Sequence, residues 1–184
     1  MTRWRRGAAS TVGHFHVFDV HRLDLVREDG SARPVFTFSA PDWCNVVPLT
    51  DDGKVVLVRQ HRWGTDAPSL EIPGGIVDPG EAPLDAARRE LREETGYDAG
   101  ELISLGAVDP NPALQGNRLH MFLARGCRPS GVGQQLEELE DCELVLLDRS
   151  NLDQACARGE IGHALVWAAL HAWAIHERRE RAPR

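Results

Sequence analysis

The sequence has little of what would place it outside the ordinary globular classes. No apolar run is longer than Ala164–Leu170, far too short to cross a bilayer, and Met1–Ser10 carries arginines without the apolar segment a secretory signal needs. The chain therefore reads as soluble and cytoplasmic, with no membrane partner. Its four cysteines, Cys44, Cys127, Cys142 and Cys156, are widely spaced and form no C-x-x-C pair, which argues against a disulfide framework or a structural zinc site and for buried, reduced thiols. Lysine is almost missing, since Lys54 is the only one among 21 basic residues, and no function attaches to that. Positive charge is also short: the net charge of −7 would repel a polyanion, so general nucleic-acid binding is not expected. Repeats and low-complexity tracts are absent.

What is present suits one folded domain. The 184 residues are 42% hydrophobic and include 5 Trp and 5 Phe, enough to build a sizeable core. β-branched and aromatic residues in His14–Val26 and Pro34–Ser39, around the turn signal Asp29-Gly30, suggest a hairpin. Asn45–Leu49 and Lys54–Gln60 repeat the pattern across Asp51-Asp52-Gly53. Pro83 at a first helical turn and Gly96 at a stop predict a helix from about Pro83 to Thr95. Strands follow at Leu102–Val108, Arg118–Ala124 and Cys142–Leu147, and helices at Ser150–Arg158 and Gly162–Arg179, the last with an apolar stripe of Leu165, Ala168, Ala169 and Ala172. The expected architecture is an α/β/α sandwich with a mixed central sheet and an N-terminal antiparallel β hairpin. Residues 1–40 are the N-terminal strands and 41–184 the main domain.

Acid is concentrated in one place. Glu71 to Glu101 holds nine acids against Arg88, Arg89 and Arg92, a net of −6. On a helix, Glu90, Glu93 and Glu94 fall within one turn, while Leu84, Ala87 and Leu91 form a separate stripe that would anchor it to the sheet and leave the glutamates at a cleft. Such a cluster repels itself unless it is neutralised. Either the neighbouring arginines pair with it on a solvated face, or it receives a hard divalent cation, Mg²⁺ or Mn²⁺, which takes carboxylate, water and phosphate oxygens.

The spacing Gly75-x5-Glu81-x7-Arg89-Glu90-Leu91-x-Glu93-Glu94-x-Gly96 fixes eight positions and resembles the Nudix box in full, with Tyr97 where the box usually has an aliphatic residue. The resemblance implies a Nudix hydrolase domain over 41–184 that cleaves a nucleoside diphosphate linked to another moiety with divalent metal. It implies Glu90 and Glu94 as principal metal ligands, Glu93 as a further ligand or water holder, the Gly74 carbonyl as a backbone ligand, and Arg89 as the residue that orients Glu93. Glu81 either ties the loop to the helix or ligates.

Flanking residues narrow the branch. Val58-Arg59-Gln60-His61-Arg62 before the box and Leu70-Glu71-Ile72-Pro73-Gly74-Gly75 at its entry resemble the ADP-ribose pyrophosphatase and nucleoside-diphosphate-sugar hydrolases. Arg62, with Arg59 second, is the candidate phosphate or ribose contact; pairing of either with a nearby acid is the plain alternative. Gln115, Asn117 and Arg118 are candidates for the terminal sugar. Trp63 and Trp43 serve base stacking or packing. Within Glu137, Glu138, Glu140, Asp141 and Glu143, the branch places a general base that also reaches the metals; Glu140 is the choice and Glu138 the second. The resemblance further implies a homodimer formed through the N-terminal strands. Rival readings are a nucleoside triphosphate or RNA-cap pyrophosphohydrolase, and a Nudix module that binds nucleotide without cleaving it.

Overall fold

The structure, a computed structural model, describes residues 4–136 and 141–182. These fall into two compact units, one made of the residues up to Asp42 with Asp109–Arg118, the other of Trp43–Val108 with the residues from Leu119 onward.

The first unit is a three-stranded antiparallel sheet, β1 (Arg5–His14), β2 (Asp19–Val26) and β3 (Ala32–Ser39), in that order. The β2–β3 hairpin follows the expected alternation, and its turn is closed where the Asp29 carboxylate accepts the Ser31 N–H at 2.9 Å and Gly30 takes a φ of 81° that favours glycine. Two expectations need correction here. The run from His14 is not one strand, because Phe15 and Phe18 close a turn (Phe15 N–H to Phe18 O, 3.0 Å). Ahead of it, where no strand was expected, β1 pairs with β2 from Arg5↔Val26 to His14↔Asp19. Nearly every residue of β1 is exposed, so burial left no hydrophobic period to read. The Asp109–Arg118 segment is stitched to this sheet by Phe38 N–H to Leu114 O (2.7 Å) and Asn117 Nδ2–H to Pro41 O (2.9 Å).

The second unit is a mixed eight-stranded sheet with helices on both faces. Its main path runs β11 (Cys142–Asp148), β5 (Lys54–Arg62), β4 (Trp43–Thr50), β10 (Leu119–Pro129) and β8 (Tyr97–Asp98), with β4 and β10 parallel. β9 (Glu101–Val108) pairs with β10, β6 (Ala67–Glu71) with β5, and β7 (Gly74–Ile76) with β4. Successive residues of a strand face opposite sides, and the sequence uses this at the centre. Val47, Val55, Leu57, Leu119, Met121 and Leu123 pack toward α2 (Leu152–Ala157) and α3 (Ala164–Arg181), while Val46, Val56, Phe122 and Ala124 pack toward α1 (Pro83–Thr95). Strands buried on both faces read as runs of valine, as Lys54–Gln60 does.

α1 occupies the expected span, with Pro83 in its first turn and Gly96 capping its end at a φ of 71°. Of the expected anchoring stripe, Ala87 and Leu91 are buried and Leu84 is not. The buried face is Ala86, Ala87, Glu90, Leu91, Glu94 and Thr95. Two glutamates thus share the inward face with the apolar anchors. α3 buries Val166, Ala169 and Trp173, with Leu165, Ala168 and Ala172 packed partly against the core. The short strands β6, β7 and β8 lie too close to turns and prolines to show a period.

One topological detail sets the site. The central strands β4 and β5 pair only at Leu49↔Val55 and then diverge. β6 lines β5 up to Val58↔Glu71, and β7 lines β4 at Asn45↔Gly74. Ile72 and Pro73 cross the gap, Pro73 O accepting the Val46 N–H at 2.9 Å.

Candidate active site

The glycine pair at the crossing and the inward glutamates of α1 meet directly. Gly74 donates its N–H to Glu94 Oε2 at 2.9 Å. A Cβ on Gly75 would stand 2.5 Å from Glu90 Oε1, and one on Gly74 would stand 2.2 Å from the Cys44 carbonyl. Glycine is therefore required at 74, where the near atoms include backbone, while at 75 a side chain would displace the Glu90 carboxylate. Glu90 is 8% exposed and Glu94 3%.

Arg89 organises the remaining acids. Its Nε and Nη2 donate to Glu81 at 3.0 and 2.9 Å, its Nη1 to Glu90 Oε1 at 2.8 Å and to Glu93 Oε2 at 3.1 Å, and its Nη2 also to the Ile76 carbonyl at 3.0 Å. Glu81 Oε2 in turn accepts the Asp78 N–H at 3.1 Å, so this residue ties loop to helix. The hydrogen bonds to Glu81, then those to Glu90 and Glu93, raise the Arg89 guanidinium well above its ordinary value despite partial burial, and the same bond lowers Glu81.

Glu81, Glu90 and Glu93 thus stand around one guanidinium, with Glu94 on the Gly74 N–H next to them, so acids outnumber bases on this part of the helix. All the donors are carboxylate or backbone oxygens, and two of the carboxylates are buried, a set that fits a hard divalent cation. Among the described residues no three acid, histidine or cysteine side chains are already placed to hold an ion; Glu90 and Glu93 are bonded to Arg89 and Glu94 to the Gly74 N–H.

Beside this cluster lies a second carboxylate with a different environment. Glu71, 2% exposed, receives Arg62 through Nε at 2.8 Å and Nη2 at 2.7 Å, and His163 through Nδ1 at 2.7 Å. Burial alone would push this carboxyl up, but the hydrogen bonds from Arg62 and His163 outweigh it and hold the group at about 2. Arg62 is raised chiefly by Glu71, with Glu94 near enough to add to the effect. Glu71 belongs to the quoted motif but carried no assigned role, and His163 gave no signal beyond a lone histidine at a helix start.

The other candidates are more scattered. β5 continues through Arg59 and Arg62, which at odd separation face opposite sides; Arg59 pairs with Glu143 at 3.2 Å on the surface. Gln115, Asn117 and Arg118 belong to the first unit, where Gln115 bridges Phe38, Asn117 is buried, and the Arg118 N–H meets Asp42 Oδ1 at 2.8 Å. Trp43 packs partly against the core, whereas Trp63 is 82% exposed, edge-on to His61. Glu137, Glu138 and Glu140 lie outside the described residues. Just before them Gln134, a residue sequence reasoning missed, donates Nε2–H to Glu94 O at 2.6 Å and Cys142 O at 2.9 Å, and the Gln135 N–H meets Glu93 O at 2.8 Å. Burial pushes the Cys44 and Cys127 thiols up to about 12, in keeping with inert core residues.

This arrangement has counterparts. The NUDIX domain model matches residues 42–165. ADP-ribose pyrophosphatase of Bacillus subtilis (strain 168) is 32% identical over 159 residues, 86% of this chain and 83% of that protein. ADP compounds hydrolase NudE of Escherichia coli (strain K12) is 31% identical over 133 residues, 70% of each chain. A solved structure, "Crystal structure of ADP compounds hydrolase", superposes with a TM-score of 0.85 at 23% identity, covering 98% of this chain and 97% of that one, and so shares the fold. With the domain matched across most of its length and its box glutamates gathered about Arg89 and the Gly74–Gly75 turn, the chain belongs to the Nudix family of pyrophosphohydrolases.

Proposed function

We propose that the chain hydrolyses the diphosphate bond of ADP-ribose or a related nucleoside diphosphate sugar, with Mg²⁺ or Mn²⁺ as cofactor. The observation that carries this reading is the set of three carboxylates, Glu81, Glu90 and Glu93, sharing the Arg89 guanidinium, with Glu94 held beside them by the Gly74 N–H of the glycine turn. The names of the Bacillus subtilis and Escherichia coli relatives support the choice of ADP compounds over other diphosphates. A bound divalent cation would polarise the diphosphate and acidify a water.

The chain's own residues do the rest. Glu90, Glu94 and the Gly74 carbonyl would hold the cation, and Glu93, fixed by Arg89, would hold water. Arg62 spends Nε and Nη2 on Glu71, so the Nη1 amine is the part of its fork that meets phosphate or ribose. Glu140, or else Glu138, takes the proton of the attacking water. ADP-ribose then yields AMP and ribose 5-phosphate. The exposed Phe15, Val17 and Phe36 of the first unit support a homodimer through its strands, which light scattering at micromolar concentration checks.

The deciding experiment is a panel of ADP-ribose, nucleotide sugars and nucleoside triphosphates with product identification, with Mg²⁺ and with chelator. AMP from ADP-ribose, abolished by chelator, is the expected result. Pyrophosphate released from triphosphates with ADP-ribose left intact overturns the reading, and tight ADP-ribose binding without turnover supports a non-catalytic module instead.

A further inference from the structure

The buried Glu71 carboxylate joins two segments that are remote in sequence. Arg62 ends β5, and His163 precedes α3, which starts at Ala164. The histidine side chain makes no capping bond to its own helix; its backbone carbonyl accepts the Val166 and Trp167 N–H groups, so the ring is spent on Glu71 instead. Glu71 Oε2 receives both His163 Nδ1 and Arg62 Nη2, each at 2.7 Å. An ionised carboxylate only accepts hydrogen bonds, so Nδ1 must carry the proton. Arg62, Glu71 and His163 together line a cavity of about 460 Å³, along with Thr65, Ser69 and Glu160.

We propose that His163 is a positioning residue, which through the shared Glu71 carboxylate holds the Arg62 fork in the orientation that meets the substrate's phosphate or ribose oxygens. The inference rests on the substrate role of Arg62 given above. A guanidinium gripped at Nε and Nη2 has lost most of its rotamer freedom before substrate arrives, which lowers the cost of binding. Without the Nδ1–H, Glu71 Oε2 loses one of its donors and the grip loosens. The group needed is an N–H at the Nδ1 position. Asparagine supplies one two bonds beyond Cβ, and glutamine does not.

The test has two arms. In ADP-ribose kinetics, His163→Ala is expected to raise KM about 10-fold with kcat within about 2-fold, a size typical of losing a charge-assisted hydrogen bond. His163→Asn restores KM and His163→Gln does not, and on an Arg62→Ala background His163→Ala adds little, because the two act as one unit. In the second arm, NMR follows exchange of the Arg62 Nε–H with water. This is expected to be slow in the wild type, about 10-fold faster in His163→Ala and slow again in His163→Asn. An unchanged KM in an active His163→Ala enzyme, or full additivity with Arg62→Ala, overturns the proposal. If the wild type hydrolyses no ADP-ribose, the functional reading falls and the exchange arm alone decides whether His163 holds Arg62, unchanged exchange in His163→Ala refuting it.

Discussion

Two groups of carboxylates lie side by side in the second unit and are treated in opposite ways. Glu71 is a single acid with two hydrogen-bond partners, the Arg62 guanidinium and the His163 ring, and its charge is answered from within the protein. On α1, the ratio is reversed: Glu81, Glu90 and Glu93 divide one guanidinium, and Glu94 leans on a backbone N–H. Burial is similar for Glu71, Glu90 and Glu94, so exposure does not separate them. Local charge balance does. A buried acid matched by its own donors acts as a strut, whereas acids that outnumber the neighbouring bases are, in the function proposed above, the ones that receive a cation.

The contrast breaks most sharply if neutralising charge fails to act in opposite directions. Glu90→Gln combined with Glu94→Gln should lower kcat by about 10³-fold, the scale of losing several kcal/mol of metal assistance. In chelator the same double variant should melt at or above the wild-type midpoint, since like-charge repulsion is relieved; a clear loss of stability there would place these acids with Glu71.

Glu71→Gln should do the reverse and cost about 3 kcal/mol in denaturant titration at neutral pH, the worth of holding the carboxyl at about 2 against an ordinary 4.5. The sign follows from the depressed value. This contribution is complete above about pH 4.5 and disappears as pH falls toward 2, so wild type should lose stability across that window and Glu71→Gln should lose less.

Arg89→Ala is the intermediate case. Removing the shared guanidinium should lower the midpoint in chelator by an amount equivalent to about 2 kcal/mol, with much of the loss recovered by millimolar Mg²⁺, because the ion answers the same charge. A loss that millimolar Mg²⁺ leaves unrecovered would mean that no ion answers the charge that Arg89 shares. The smallest effect belongs to Gly75→Ala. The new Cβ meets the far end of the Glu90 side chain at 2.5 Å, so the fold should survive while the displaced carboxylate costs about 10-fold in kcat.

The α1 acids were legible in the sequence and Glu71's partners were not, for a physical reason. A helix turns spacing directly into geometry, so the Arg89–Glu93 contact four residues apart follows from the string alone. The bond from His163 to Glu71 spans 92 residues and depends on where α3 begins beside the sheet. The valine strands declared themselves because both of their faces are buried, whereas β1, exposed along almost its whole length, gave no pattern. Leu84 misled because hydrophobicity was taken for burial at the first turn, when the inward face also carries Glu90 and Glu94. The motif singled out these two residues, and only tertiary packing shows that they are buried beside the glycine turn.

The divergence of β4 from β5 has a mechanical consequence. The turn that faces the glutamates hangs between two prongs, one anchored at Asn45↔Gly74 and the other at Val58↔Glu71, which join again at Leu49↔Val55. Any spreading of the prongs would show first as a change in the separation of Gly74 and Glu94. Stiffness in the valine-filled interior is in this way converted into accuracy where the glycine turn meets Glu90 and Glu94.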